Sequence, residues 1–402
     1  MNFLTEDIPG TGGRYKQHPA DFRVEEIPLY PCSGNGEHLY LWIEKKGITT
    51  RDLLHQLSRQ LKLNERDLGY AGLKDAQALT RQMVSIPFNK IDQVKKLNLN
   101  NAKILEYKQH GNKLRLGHLA GNRFTIILRS VNEEAQIRAE AVLNQLKKIG
   151  VPNMFGEQRY GILGNSAQLG LYLVKKTYTE FCREYIGDPK LIHHPDWKKA
   201  AEFYRQGDLK SSYDILPTRM HNERQLLHKL LGGKSHQAAI LTLPRNLLRL
   251  FLSAAQAQLF DLLLQQRLPH LNKLIDGDIA VKHSNGACFR VEKAAQEQVR
   301  ADNFEISPSA PLFGYKVLLA TGKMGEKEIA CLKNHNLNLE SWKLQQGLSM
   351  SGERRPLRVP ISEPIISKLE KDTLMLQFAL PRGSYATSVL REVMKTPQVS
   401  SP

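Results

Sequence analysis

Two periods of apolar residues run along this chain and predict its secondary structure. In residues 80–86 apolar and polar side chains alternate, with Val84 and Ile86 on one face and Arg81, Met83 and Ser85 on the other, as in a β-strand. Leucines at helical spacing in residues 51–61 predict an amphipathic helix. Further strands are predicted at 22–27, 38–43, 373–378 and twice within 103–129, and further helices at 132–149, 166–185, 197–205 and 246–267.

Residues with a preference for helix ends and turns mark where these elements stop. Short polar side chains accept hydrogen bonds from the first backbone N–H groups of a helix, whereas glycine ends a helix or reverses the chain. The predicted boundary residues are Thr49 or Thr50 before helix 51–61, Asn132 and Gly150 around helix 132–149, Asn285-Gly286 at the turn of a hairpin at 276–291, and Ser384 before a last helix.

No segment is expected to enter a membrane. The amino terminus is acidic and lacks the apolar run of a signal peptide. The most apolar helix, near 247–260, is interrupted by Arg249, so no run is expected to reach the length that spans a bilayer. The four cysteines lie far apart, as in a protein with reduced thiols. We therefore expect a cytoplasmic protein.

The charge of the chain indicates a polyanionic partner. With 57 lysine and arginine residues against 40 aspartate and glutamate residues, the formal net charge is +17. An excess of this size favours nucleic acid as the partner. Between 103 and 129 the cations outnumber a single acid, Glu106, so this stretch is either a track for phosphates or a solvated basic strand edge. Its cations are Lys103, Lys108, Lys113, Arg115, Arg123 and Arg129.

Asp75 is the leading candidate for a catalytic group. It follows a short apolar run punctuated by Gly69 and Gly72, stands next to Lys74, and precedes the strand that begins after Thr80. A carboxylate at such a junction is held by the sheet yet can point into a cleft, which suits catalysis because catalysis depends on positioning. The alternative, from these residues alone, is an aspartate that caps a turn.

Neither a metal site nor a cofactor-binding loop is predicted. The cysteines form no C-x-x-C pair and no zinc-like cluster with histidine, and His193-His194 is an isolated pair in a polar loop. An RNA methyltransferase needs a glycine-rich cofactor loop after a strand, and no such loop with suitable spacing is found. A methyltransferase is therefore disfavoured.

Motifs spread from residue 16 to residue 392 resemble the TruD family of tRNA pseudouridine synthases. The segment G-L-K-D-A-Q-A-L-T, residues 72–80, fits the family signature G-x-K-D-x-x-A-x-T. Met154 stands where the family usually has an aromatic residue, and Tyr160 where it has phenylalanine. The other similar segments are K-Q-H-P-A-D-F-R-V-E-E at 16–26, G-N-R-F at 121–124, P-N-M-F-G-E-Q-R-Y-G at 152–161 and F-A-L-P-R-G-S-Y-A-T-S-V-L-R-E at 378–392.

This resemblance implies an α+β fold. In that family a pseudouridine synthase catalytic domain, with a mixed, mostly antiparallel sheet flanked by helices, is interrupted by an inserted α/β domain that embraces the RNA. On this basis residues 1–155 and 351–402 form a discontinuous catalytic domain and residues 156–350 form the insert. Within the insert, residues 177–243 match the family least.

The resemblance also implies isomerisation of uridine to pseudouridine in tRNA, at position 13 in bacterial relatives, by a monomeric enzyme without cofactor or metal. Asp75 matches the catalytic carboxylate, Lys16 a lysine beside it, and Phe124 the ring that stacks on the flipped uracil. Whether the carboxylate attacks the ribose, attacks the base or abstracts a ribose proton stays open. The predicted substrate-binding residues are Lys74, Asn122, Asn153, Gln158, Arg159 and Arg382.

Two alternatives accompany this interpretation. The chain could be a non-catalytic RNA-binding protein or RNA chaperone on the same scaffold, although the intact Lys74-Asp75 pair disfavours that function. Without the family motifs, Phe124 would be interpreted as a core residue and Lys16 as a surface lysine.

The net charge generates a first prediction, that tRNA binding weakens steeply with salt. Neutralising three to six phosphates should lower the affinity on the order of tenfold to several hundredfold between 50 and 200 mM salt, because condensed counterions are released on binding. Titrations of labelled tRNA across this range measure the slope. An affinity that does not change with salt would contradict electrostatic binding of the RNA.

Overall fold

The chain divides into two compact units. Unit 1 comprises Met1–Val151 and Val359–Pro402, and unit 2 comprises Pro152–Arg358. Unit 1 is therefore discontinuous in sequence, and the chain leaves it and returns to it near residues 151 and 359. The structure, a computed structural model, describes residues 2–161 and 163–396, with residues 157 and 158 as backbone only.

Strands occur in both units and are numbered in chain order. They are β1 (Gly12–Arg14), β2 (Phe22–Pro28), β3 (His38–Lys46), β4 (Gly69–Tyr70), β5 (Leu79–Pro87), β6 (Ala102–His110), β7 (Leu119–Val131), β8 (Val151–Pro152), β9 (Ile279–Lys282), β10 (Cys288–Arg290), β11 (Ile306–Leu312), β12 (Glu353–Pro356), β13 (Arg358–Val359), β14 (Ser362–Glu370) and β15 (Thr373–Pro381).

Helices are concentrated in unit 2. They are α1 (Thr50–Leu61), α2 (Ile91–Val94), α3 (Ala135–Ile149), α4 (Ser166–Lys175), α5 (Tyr178–Ile186), α6 (Pro195–Arg205), α7 (Leu209–Ile215), α8 (His221–Leu231), α9 (His236–Ile240), α10 (Arg245–Gln265), α11 (Ala294–Asp302), α12 (Gly322–Asn334) and α13 (Ala386–Met394). Short 3-10 helices cover Pro19–Asp21, Glu65–Asp67, Phe88–Lys90, Glu157–Tyr160, Leu268–His270 and Leu339–Trp342.

Unit 1 is built on one mixed sheet with the strand order β14-β15-β7-β2-β5-β3-β6, to which β1 adds beside β7 and β4 beside β5. The pair β2–β5 is parallel, with Arg23 opposite Leu79, and the other described pairs of this sheet are antiparallel. The expected α+β fold with a mixed, mostly antiparallel sheet is confirmed. The parallel pair places the beginnings of β2 and β5 at the same edge of the sheet.

Helix α1 packs its leucines on the alternating apolar side chains of β3 and β5, among them Leu41 and Val84. The predicted cap is Thr49, whose hydroxyl accepts a hydrogen bond from Asp52 N at 3.1 Å. Ser85, on the face opposite Val84, is fully buried, and its hydroxyl accepts a hydrogen bond from Leu114 N at 3.0 Å.

Several predicted helix boundaries differ from those in the structure. Helix α3 begins at Ala135 and not beside Asn132, whose amide donates to the Gly10 carbonyl at 3.0 Å. The residue at the cap position of α13 is Tyr385 and not Ser384. The helix expected over 166–185 is two helices, since Lys176 has a left-handed φ of 60° that ends α4. Gly150, with φ of 104°, ends α3 as predicted.

Helix α10 is the core helix of unit 2. Its 21 residues include an 18-residue window with mean hydropathy 1.4, so by length and composition alone this helix could span a membrane. The expectation that no apolar segment reaches that length is therefore wrong. In this structure 67% of that window is buried inside the protein, as in the core helix of a soluble protein. Arg249, which interrupts the apolar pattern, donates to the Gly347 carbonyl at 2.9 Å.

Unit 2 also contains an antiparallel sheet in the order β10-β9-β11-β12. The predicted hairpin is formed by β9 and β10, and Gly286 in its turn has φ of 76°. Two buried ion pairs hold the surrounding elements: Arg354 to Glu328 at 2.8 Å and Arg267 to Asp278 at 2.7 Å.

Segments near the two ends of the described chain meet inside unit 1. The buried carboxylate of Glu392, on α13, accepts hydrogen bonds from Leu4 N at 3.1 Å, Thr5 N at 3.0 Å and Thr5 Oγ1 at 2.8 Å. Arg391 donates to the Asn2 carbonyl at 2.9 Å. The R-E pair that ends the last motif therefore fastens the amino-terminal segment to α13.

Replacing Glu392 should destabilise unit 1. Glu392→Ala removes a charged acceptor from three donors and leaves backbone N–H groups without it, so the free energy of unfolding should fall by about 2–4 kcal/mol. Glu363→Ala is the matched control, because Glu363 is 65% exposed and its ion pair with Arg123 should contribute within about 1 kcal/mol. Urea unfolding measures the free energy of unfolding of both variants. Equal losses of free energy would contradict a stabilising role for the contacts of Glu392 with the amino-terminal segment.

Candidate active site

Lys16 and Asp75 meet at one edge of the unit 1 sheet. Lys16 lies before β2 and Asp75 before β5, so the parallel pairing of these strands brings the two residues together. Lys16 Nζ forms a salt bridge with Asp75 Oδ2, with side-chain exposures of 15% and 28%. Lys16 has φ of 61°, a left-handed conformation that residues other than glycine rarely adopt. A neighbouring ammonium group favours the ionised carboxylate.

The backbone around Asp75 is held from three sides. Asp75 Oδ1 accepts a hydrogen bond from Gln77 N at 3.1 Å, the Asp75 carbonyl accepts one from Lys45 Nζ at 2.9 Å, and Lys74 N donates to Thr50 Oγ1 at 2.8 Å. The bond to Gln77 is the contact that the turn-capping alternative expects. Asp75 therefore makes a turn contact through Oδ1 and a salt bridge with Lys16 through Oδ2.

Lys74 points into the protein rather than outward. Its Nζ lies 3.0 Å from Glu26 Oε2 and 2.7 Å from Asn122 Oδ1, and the side chains of Lys74 and Glu26 are 6% and 1% exposed. Burial raises the pKa of Glu26, and the Lys74 ammonium opposes this shift. The structure thus brings Lys74 and Asn122 together, and the lysine holds the amide oxygen in place.

Phe124 lies within an aromatic cluster on the face of the sheet that also carries Asn122, two residues earlier on β7. Its ring is 6% exposed, with its centroid 6.3 Å from that of Phe22 and 5.5 Å from that of Phe378. Lys16 Nζ lies 4.6 Å from the centroid of Phe22. The packing is that of a core ring, and it connects Phe124 to the Lys16–Asp75 pair through Phe22.

Two charged residues of the site were not predicted. Lys45 is 1% exposed and follows Leu39, Leu41 and Ile43 at the period of two, on the buried face of β3. Glu26 continues the buried face of β2 in the same way. The signal was present in the alternation: a charged residue at an inward position is expected to be buried with a partner.

Several cations of the predicted basic stretch, residues 103–129, contact other residues of unit 1. Arg129 makes a two-bond contact with the buried carboxylate of Asp21 at 2.8 and 3.1 Å and lowers the pKa of that carboxyl. Arg123 lies 3.0 Å from Glu363, and Lys113 donates to the Arg66 carbonyl. Several of these cations therefore bond to other groups of unit 1, and Arg129 among them has a buried partner.

The remaining predicted site residues lie apart from this group in sequence. Arg382, in unit 1, donates to the Gly117 carbonyl at 2.7 Å, next to the beginning of β7. In unit 2, the buried amide of Asn153 donates to the Pro356 carbonyl at 2.9 Å and its Oδ1 accepts from Arg355 at 2.6 Å. Arg159 donates to Ser253 Oγ. The side chain of Gln158 lies outside the described residues.

The described ranges hold no group of three or more histidine, cysteine, aspartate or glutamate side chains that could bind a metal ion. The chemical groups at the site are therefore one partly exposed carboxylate, Asp75, and the ammonium, amide and aromatic groups around it. Such a set can supply a base or a nucleophile and can orient a polar substrate.

Comparison with known proteins identifies the family of this chain. The family model for tRNA pseudouridine synthase D (TruD) matches residues 1–393. The tRNA pseudouridine synthase D of Syntrophotalea carbinolica is 52% identical over 395 residues, covering 98% of this chain and 99% of that protein. Its counterpart from Geobacter metallireducens is 46% identical over 394 residues, covering 98% and 97%.

A solved structure is similar as well. The crystal structure of the putative tRNA pseudouridine synthase D from Methanosarcina mazei has a TM-score of 0.85 and 29% identity, covering 98% of this chain and 96% of that one. These relatives carry the name of an enzyme and give no support to a non-catalytic RNA-binding protein. The chain belongs to the TruD family of tRNA pseudouridine synthases.

Proposed function

We propose that this protein isomerises uridine to pseudouridine in tRNA, at position 13, without a cofactor or a metal. The observation that carries the proposal is the Lys16–Asp75 pair, a partly exposed carboxylate beside an ammonium group at the position of the family signature. We also infer that the enzyme acts as a cytoplasmic monomer, with tRNA as its partner.

The reaction needs only groups that this site contains. The bond between C1′ and N1 of the nucleotide breaks, and a bond between C1′ and C5 of the same base forms. The proton on C5 leaves and N1 gains a proton, so the product is an isomer and no oxidant or reductant takes part. Asp75 serves as the nucleophile at ribose or base, or as the base that removes a ribose proton.

The neighbours of Asp75 receive roles that follow from their contacts. Lys16 keeps the carboxylate ionised and directs Oδ2. Lys74 is assigned to the substrate site through Asn122, whose amide group it orients, rather than through direct contact. By the family motifs, Arg382 is assigned to an RNA contact, and Asn153, Gln158 and Arg159 of unit 2 are assigned to nucleotide edges and phosphates.

Phe124 keeps its proposed place beside the flipped uracil. A target base must leave the helix before both its C1′ bond and its C5 atom can be reached, and an aromatic ring stabilises a base outside the stack. Since the ring is 6% exposed here, stacking requires the pocket to open at Phe124 when the nucleotide enters.

Asp75→Asn tests the proposal directly. The change keeps the side-chain shape and the acceptor for Gln77 N but removes the charge and the nucleophilic oxygen, so pseudouridine formation should fall below detection. Binding of tRNA should persist or tighten slightly, because a negative charge near the phosphates is removed. Pseudouridine mapping of tRNA transcripts, with a thermal melt of each variant, measures both effects.

Asp92→Asn is the matched control for this substitution, since Asp92 is 90% exposed on α2. It should retain the wild-type rate. If Asp75→Asn turned over at even a tenth of the wild-type rate with a normal melt, Asp75 would lose the catalytic role and the proposed mechanism would fail.

The role of Phe124 is tested with Phe124→Leu, because Phe→Ala in a packed position costs about 3–5 kcal/mol of stability and confuses the result. Turnover should fall severalfold more than tRNA affinity, since loss of stacking on one base costs about 1–3 kcal/mol. Phe378→Leu is the control, as a buried ring that contacts Phe124. Equal losses of activity and stability in both variants would assign Phe124 to the core.

A further inference from the structure

We propose that Lys45 is a positioning residue for the reaction of Asp75: its ammonium group anchors the loop that carries the carboxylate and places a buried positive charge behind it. This inference rests on the proposed catalytic role of Asp75. Lys45 itself is 1% exposed and does not reach a substrate, so it acts through Asp75.

The contacts of Lys45 connect two loops. Its Nζ donates to the Ile48 carbonyl at 2.6 Å and to the Asp75 carbonyl at 2.9 Å. Ile48 belongs to the connection from β3 to α1, and Asp75 to the segment from β4 to β5. One ammonium group at the end of a rigid strand therefore fixes the main chain of the reactive residue relative to the sheet, which is the kind of support that precise catalytic geometry requires.

The charge of Lys45 also bears on Asp75. Both of its hydrogen-bond acceptors are main-chain carbonyls, and no carboxylate within the described chain forms a salt bridge with it. Asp75 attracts the ammonium, as does Asp52, and Lys74 repels it, although the charge of Lys74 is itself paired with Glu26. In a site with little water such a charge acts more strongly than at the surface. Lys45 and Lys16 thus place positive charge on two sides of Asp75.

A change of pH separates the effect of the Lys45 charge from the effect of its hydrogen bonds. Burial lowers the pKa of Lys45 to about 8, and the negative charge of Asp75 opposes that shift. Below this pH the group is a charged ammonium. Above it the group is a neutral amine, which still donates hydrogen bonds to the two carbonyls but exerts no charge on Asp75.

The experiment compares single-turnover pseudouridine formation by the wild type and by Lys45→Met at pH 7 and pH 9. At pH 7 the variant should be slower on the order of tenfold to a hundredfold, the range expected when a reactive group is misplaced by about 1 Å. The tRNA dissociation constant should change less than about threefold, because Lys45 does not contact RNA. The ratio of wild-type to variant rate should shrink severalfold by pH 9, where the wild type has lost the charge.

Titration of the RNA between pH 7 and pH 9 changes the rates of both proteins equally, so it cancels in the ratio of the wild-type rate to the variant rate. Lys46→Met is the matched control: Lys46 is the exposed neighbour on the same strand and should stay within about twofold of the wild type at both pH values. Lys45→Gln, which keeps amide donors but no charge, should lie between Lys45→Met and the wild type at pH 7 and should also show a smaller deficit at pH 9.

A wild-type rate in Lys45→Met at pH 7, or a rate ratio that stays constant from pH 7 to pH 9, would overturn the proposal. If both Lys45→Met and Lys45→Gln fail to fold, Lys45 serves stability alone and the proposal is likewise overturned. Asp75→Asn in the same assay keeps the two hypotheses distinct: an active wild type with an inactive Asp75→Asn supports the proposed function whatever Lys45 does.

Discussion

The salt bridge between Lys16 and Asp75 is the interaction on which the proposed active site depends. Burial alone disfavours a charged carboxylate, so cations have to compensate. Lys16 contacts Asp75 Oδ2, and Lys45 holds the Asp75 carbonyl from within the sheet. These residues come from segments far apart in sequence. The parallel β2–β5 pair, in an otherwise antiparallel sheet, is what brings the first of them to Asp75.

A second set of polar contacts, among Glu26, Lys74 and Asn122, lies beside Asp75. Glu26 and Lys74 neutralise each other in a nearly water-free position, and Asn122 completes the contact. Such a buried pair is costly to break, since removing one partner leaves the other charge uncompensated. Aromatic packing of Phe22, Phe124 and Phe378 closes the neighbouring region. The site therefore combines one accessible carboxylate with surroundings that are held by packing and by ion pairs.

Much of this could be predicted from the sequence, because local patterns report local structure. The leucines of α1, the cap at Thr49 and the alternation of β5 are readable without knowledge of the fold. Pairing across distant segments is not: Asn132 bonds Gly10 instead of capping α3, and Lys74 turns inward to Glu26. Lys45 shows a different limit. The alternation did place it on the buried face, but its carbonyl partners depend on where two loops pass in three dimensions.

The discontinuity of unit 1 has a consequence for biosynthesis. Strand β7 lies between β2 and β15, and β15 is encoded about 240 residues after β7. Unit 2 is fully translated before β14, β15 and α13, so it can fold during translation before the sheet of unit 1 is complete. The contact of Glu392 with Thr5 joins nearly the last described segment to nearly the first. Until α13 has been translated, a nascent chain therefore has neither the contact of Glu392 with Thr5 nor a complete unit 1.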